Sequence, residues 1–374
     1  MAECAREQPI EEESVSISCS ESSSVSSRTS SSRSEGLRKY KLTSSDEPTQ
    51  IFKKNVSKWK QVDLDALGIF YDQAALPLST LIARTKQVAW RGQMYRMTTT
   101  PDHLHTFEEI MKESITLTLP YETGPRPVTS VEAVTLVAEI EETREKFFDY
   151  SMQVKEKLNL SKEKEKEFLL WQSRTHDFLK FLGKFQEIRT SCPVRESQYT
   201  NLFMKFSEIF SLQPELGDNR KAHISIGKQE VVSIPDLRFI RYPKHTLGTL
   251  LVMLTEVKVG GVGDEWRNEL PDAFDIHMLS THILGQHGGE LLAERHYSFF
   301  TPGVLGVICL KTKLIITFME MTEDHYKCIE KGLSCDEKRA SISYTKPYDY
   351  WNAKDREEIY ETLFWLGHLQ SSEK

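Results

Sequence analysis

The chain has 374 residues, 39% hydrophobic and 28% charged, which allows two or three domains of about 100–200 residues each and reads as a globular protein with a polar tail. Its longest apolar stretch, around Gly303 to Leu310, falls far short of the roughly 20 residues that span a bilayer, so no membrane contact is expected. A formal net charge of −7 argues against a protein that coats nucleic acid through bulk electrostatics.

Met1-Ala2-Glu3-Cys4 is acidic and lacks an apolar core, so it does not read as a secretory leader. The cysteines Cys4, Cys19, Cys192, Cys309, Cys328 and Cys335 contain no CxxC pair. They read as reduced thiols of an intracellular protein, nuclear or cytoplasmic.

Residues 1 to about 48 form a low-complexity tail. Thirteen of the twenty-one residues from Ser14 to Ser34 are serine, too little apolar surface to offset chain entropy, and disorder is expected. Residues 49–190 read as a mainly helical region, opened by a short element around Asp63 to Tyr71 and punctuated by Pro77, Pro101, Pro120, Pro125 and Pro127. A long helical stretch is expected from about Ser130 to Arg189. Within it Phe168, Trp171, Phe178, Leu182 and Phe185 recur near helical spacing and predict a packing face. The sign-alternating run Lys162 to Glu167 predicts an exposed surface.

Residues 191–370 change character. Ser197 to Leu212 predicts an amphipathic helix carrying Glu208. Ala222 to Val232 and Ile234 to Tyr242 are β-prone, with Pro235 at a strand start, where a missing N–H is tolerated. Leu250 to Leu254 is apolar on both faces and predicts a central strand. Asp272 to Arg295 reads as helix despite Gly285, Gly288 and Gly289. Val304 to Met321 predicts a hairpin around Lys311-Thr312-Lys313, and Lys354 to Leu369 a last helix covering a sheet edge.

The chemistry concentrates in this third part. Side chains alternate along a strand, so Glu256 and Lys258 share a face, and an Asp on a neighbouring strand brings a second carboxylate near them. Asp236 is that residue. Two carboxylates and a lysine suit a hard divalent cation, Mg²⁺ or Mn²⁺, and the hydrolysis of a phosphodiester. Lys258 would orient the attacking water or meet the growing phosphate charge. Glu208 would complete a second metal site or steer Lys258. Gln286 interrupts the apolar stripe of Leu279 and Ile283, which implies either a place in the site or the capping of a strand-end backbone group. From Arg220 to Lys258 seven basic residues stand against three acids, as a phosphate-binding surface would need, although a solvated strand surface explains them equally.

Weaker signals carry less. Gly260-Gly261-Val262-Gly263 lacks the Gly-Lys-Ser/Thr ending of a phosphate loop and reads as a turn. His277, His282 and His287 are spaced by five, which does not stack a metal pair on a helix.

The order of a helix with Glu208, Pro235-Asp236, Glu256-Val257-Lys258 and a helix with Gln286 resembles the PD-(D/E)XK nuclease superfamily over about 190–325. That resemblance implies an α/β fold with a mixed central sheet flanked by helices, a restriction-endonuclease-like core, and cleavage of DNA or RNA with Mg²⁺. The expected partner is nucleic acid, with protein partners for the helical region and tail. The alternative is an inactive nuclease-fold scaffold that binds proteins or nucleic acid.

Overall fold

The computed structural model describes residues 52–91, 102–115, 130–191, 193–243, 249–260, 274–333 and 339–371. The serine-rich tail, four of the six cysteines, Lys244 and most of the Gly260–Gly263 turn lie outside the described residues.

The first described segment holds a 3-10 turn (Val56–Lys58), α1 (Gln61–Ala66), β1 (Ile69–Tyr71) and α2 (Leu78–Arg91). Four helices follow: α3 (Asp102–Ile115), α4 (Ser130–Leu158), α5 (Lys162–Ser191) and α6 (Glu196–Glu208). Next come β2 (Pro214–Leu216), β3 (Ala222–Ile226), β4 (Gln229–Ser233), β5 (Leu237–Arg241) and β6 (Leu250–Lys258). The remainder is α7 (Thr281–Glu294), β7 (Gly303–Leu310), β8 (Lys313–Glu320), α8 (Glu323–Lys331), β9 (Ala340–Tyr344), β10 (Tyr348–Asp349) and α9 (Ala353–Ser371).

The fold is α/β, built on an eight-stranded mixed sheet in the order β1-β9-β8-β7-β6-β5-β2, with β10 beside β8. β5 and β6 are antiparallel, whereas β6 and β7 are parallel and joined through α7. A parallel neighbour needs such a crossover because the chain must return to the same end of the sheet. As expected, β6 is interior, and all but its two end residues are buried. β7 and β8 form the predicted hairpin; the turn is Lys311-Thr312, with Lys311 at φ 58°.

Two apolar layers cover the sheet. One combines α2 to α6 and α9 with Phe239, Val257, Val307 and Ile316 of the strands. The other combines residues 52–71, α7, α8 and the β3–β4 hairpin with Leu254, Ile308, Ile315 and Ile342. Phe168, Trp171, Phe178, Leu182 and Phe185 are all buried in the first layer, as their spacing predicts. Lys162 to Lys164 and Lys166 are exposed.

Several boundaries differ from expectation. The stretch 130–189 is two antiparallel helices, broken at Asn159, whose φ of 43° is a left-handed conformation that asparagine tolerates. Ala222 to Val232 is not one strand but a hairpin turning at Gly227, φ 59°, and it pairs apart from the main sheet. The described part of 272–295 becomes α-helical only at Thr281, because Ser280 caps it by accepting from the Ile283 N–H. α9 lies against β5 and β6 and also reaches β10, which pairs only with β8. Residues 52–91 join the same body, since β1 pairs with β9 and α1 packs on α7.

Candidate functional site

α7 is buried along its whole length from Ile283 to Glu294. One side faces the sheet, and the other admits the 56–64 segment through its glycines. A Cβ on Gly285 would stand 2.2 Å from the carbonyl carbon of Lys60, and one on Gly289 2.7 Å from Val56 Cγ1. With apolar neighbours on every side, the polar residues Gln286, Glu290 and Glu294, at i, i+4 and i+8, must meet partners within the fold.

Their partners are on β5 and β6. Gln286 Nε2 donates to Glu256 Oε1 at 2.6 Å and to Glu290 Oε1 at 3.0 Å. Glu294 Oε1 accepts from Arg238 Nε at 2.6 Å, and Arg238 Nη1 donates to the Gly217 carbonyl at 2.6 Å. Arg241 donates to the Leu369 carbonyl at 3.0 Å. Arg238 and Arg241 are therefore internal braces, and the seven-base stretch does not form one continuous phosphate-facing surface.

At the end of β6 the strand alternation holds. The Lys258 ammonium contacts Glu256 Oε1 and lies 3.6 Å from Glu196 Oε1, in the first turn of α6. Asp236 precedes β5 by one residue. The antiparallel pair Leu237–Thr255, carried one step further, brings Asp236 opposite Glu256. Asp236 Oδ2 accepts from the Val257 N–H at 2.7 Å, which holds this carboxylate against the end of β6.

The charges are mismatched to their surroundings. Glu256 is fully buried, and burial, reinforced by the nearby Asp236, pushes its carboxyl up to about 7 against the pull of Lys258. Glu290 stands well above the usual carboxylate range through burial and the charge of Glu256. Burial raises Asp236 too, opposed by the Val257 N–H and Lys258. For Lys258, burial works against the charge, but Glu256 and Asp236 more than reverse it and hold the ammonium above its ordinary value.

Glu256 Oε2 and Glu290 Oε2 are buried without a donor. The charge of Glu256 adds to burial in disfavouring an ionised Glu290. The cluster therefore holds more carboxylate than its single lysine neutralises. Hard oxygens short of positive charge are the donor type that Mg²⁺ takes, through one or two carboxylates, with water and phosphate filling the other positions. Among the described residues, no three His, Cys, Asp or Glu side chains are placed to hold a metal by themselves.

The structure brings together Asp236, Glu256, Lys258 and Gln286. Gln286 meets carboxylates, not the strand-end backbone group that was the alternative. Glu208 is elsewhere: at the last turn of α6 it is bound to Lys205 at 2.6 Å. Twelve residues separate it from Glu196, or about 18 Å at 1.5 Å per residue. Glu196 is thus the α6 carboxylate beside Lys258. Sequence reasoning missed Glu196 and Glu290; the i+4 step from Gln286 within an apolar helix was the signal available for Glu290. The histidines form no cluster: His287 bonds Thr317 Oγ1 at 2.8 Å, and His282 bonds the Trp59 carbonyl at 3.0 Å. No helix among the described residues is long and apolar enough to cross a membrane. Compared with family models, curated proteins and solved structures, the chain finds no match.

Proposed function

We propose that this chain is a divalent-cation-dependent phosphodiesterase acting on nucleic acid, with Asp236 and Glu256 as the cation's carboxylates and Lys258 as the positive group beside them. The observation that carries this reading is the set of carboxylates Asp236, Glu256 and Glu196 held against one lysine, with Glu256 Oε2 lacking any donor. The reading takes β2, β5, β6 and β7, with α6 and α7, as a restriction-endonuclease-like core. Its support is the order of helix, antiparallel strands, crossover helix and parallel strand.

A bound Mg²⁺ or Mn²⁺ would act as a Lewis acid on phosphate oxygens and activate water. The protein's own contributions are separate. Asp236, fixed by the Val257 N–H, and Glu256, fixed by Gln286, present oxygens whose orientation is set before substrate arrives. Lys258 supplies a compact positive charge where a phosphate would gain negative charge. Glu196, with its side chain 45% exposed, marks the side on which the cluster meets solvent.

The test is cleavage of double-stranded DNA, single-stranded DNA and RNA across a Mg²⁺ and Mn²⁺ series, beside thermal melting in the same buffers. Asp236→Ala should abolish cleavage and cation-dependent stabilisation while the fold persists. Equal cleavage by variant and parent would refute the assignment.

A second reading rests on the complete burial of Glu256 and the occupation of its Oε1 by Lys258 and Gln286. On that reading the cluster is an internal polar brace, and the protein is an inactive scaffold that binds proteins or nucleic acid. Melting temperatures that no divalent cation changes would favour it.

A further inference from the structure

Glu290 is the buried carboxylate for which neither reading yet has a use. It lies one helical turn beyond Gln286 on α7, is 1% exposed, and leaves Oε2 without a donor. Lys258 serves Glu256 and Glu196, and Arg238 serves Glu294. Glu290 Oε1 accepts from the Gln286 amide.

A carboxamide offers two N–H groups on one nitrogen, and its oxygen accepts only. Here both N–H groups are spent on carboxylate oxygens, one on Glu256 and one on Glu290. Turning the amide over would aim its oxygen at two acids at once, so the two acids together select a single amide orientation. With that orientation fixed, Glu256 Oε1 is pinned between Gln286 and Lys258, and Oε2 is the oxygen left over.

We propose that Glu290 is a positioning residue of the site: by holding one amide hydrogen of Gln286 it locks the other onto Glu256, and so decides which oxygen of Glu256 is offered to a cation. The proposal rests on the cation reading above. Glu290 touches neither cation nor substrate; its effect travels through Gln286.

The experiment uses the full chain and has two arms. In the first, MgCl₂ and MnCl₂ are titrated against melting temperature for the parent and for Glu290→Gln. That substitution keeps the size of the side chain but replaces an acceptor-only group with an amide, which can donate to the Gln286 oxygen and so no longer selects one orientation. The cation concentration at half-maximal stabilisation should rise at least tenfold. A changed melting temperature in chelator with an unchanged cation midpoint would mean that Glu290 only braces the fold, and would overturn the proposal.

The second arm needs no cation. Urea midpoints in chelator are compared for Glu256→Gln, Glu290→Gln and the double variant, in the parent and in a Gln286→Leu background. The two substitutions should be non-additive in the parent, and the non-additivity should shrink at least by half once Gln286 is gone, leaving only what the direct charge interaction of the two carboxyls supplies. Non-additivity of undiminished size in the Gln286→Leu background would also overturn the proposal. If the parent itself shows no cation response, the proposed function fails on the first arm, and the second arm still decides whether Gln286 links the two carboxylates.

Discussion

Burying Glu256 should make the fold lose stability as pH rises, and Glu256→Gln should remove that loss. The ordinary glutamate titrates near 4.5 and Glu256 near about 7. The folded state therefore holds a proton that the unfolded chain releases, and stability is present below 4.5 and falls as pH climbs through 7. At about 1.4 kcal/mol per pH unit, the window from pH 5 to pH 8 corresponds to about 3 kcal/mol. Other groups titrate in the same window. Glu290 is raised with Glu256 and titrates with it as a pair, whereas buried His287 is lowered and works in the opposite sense. The difference between parent and variant cancels His287 and reports Glu256 together with the response of Glu290 to it. The assay is urea unfolding in chelator at pH 5, 6, 7 and 8. Relative to the parent, Glu256→Gln should gain about 3 kcal/mol across the series. A difference that stays flat within about 1 kcal/mol would show that Glu256 is solvated or paired as an ordinary carboxylate, and would remove the electrostatic basis of the site.

His287, pushed down to about 3 by burial, stays neutral in the fold while the unfolded chain takes up a proton below the usual 6.5. Stability from this residue is present above 6.5 and lost as pH falls, so His287→Gln should flatten the urea profile by about 2 kcal/mol between pH 6.5 and 5. Gly285→Ala should cost about 2 kcal/mol or more in thermal or urea unfolding, because its Cβ would meet the Lys60 backbone. Gly260→Ala, with nothing within 4 Å, should be near neutral; a stabilised Gly285→Ala would mean that helix propensity outweighs the close approach. Arg238→Leu strands Glu294 in a dry site, since both are 2% exposed at the side chain. It should cost about 3–5 kcal/mol, and Arg238→Leu/Glu294→Leu together should recover most of it; no recovery in the double variant would place the cost in packing instead.

The amino-acid order alone determined what depends on near neighbours in the chain. Strand alternation put Glu256 and Lys258 on one face because the period of two is a local property of the backbone. The unbroken apolar run at Leu250–Leu254 marked an interior strand, and the spaced aromatics of α5 marked a buried face. Gln286 stood out because an amide among apolar helix positions demands a partner.

Only tertiary structure decided which partners the local signals meet. The choice of Glu196 over Glu208 depends on which end of α6 lies beside the end of β6, and helix periodicity carries no such information. Glu290 became part of the cluster when α7 was covered on both sides, by the sheet and by residues 56–64, which come more than 200 positions earlier in the chain. The residues just after that segment supplied β1 to the sheet. Arg238 and Arg241 looked like surface charge and became internal donors, because burial is set by what packs over a strand and not by the strand's own residues.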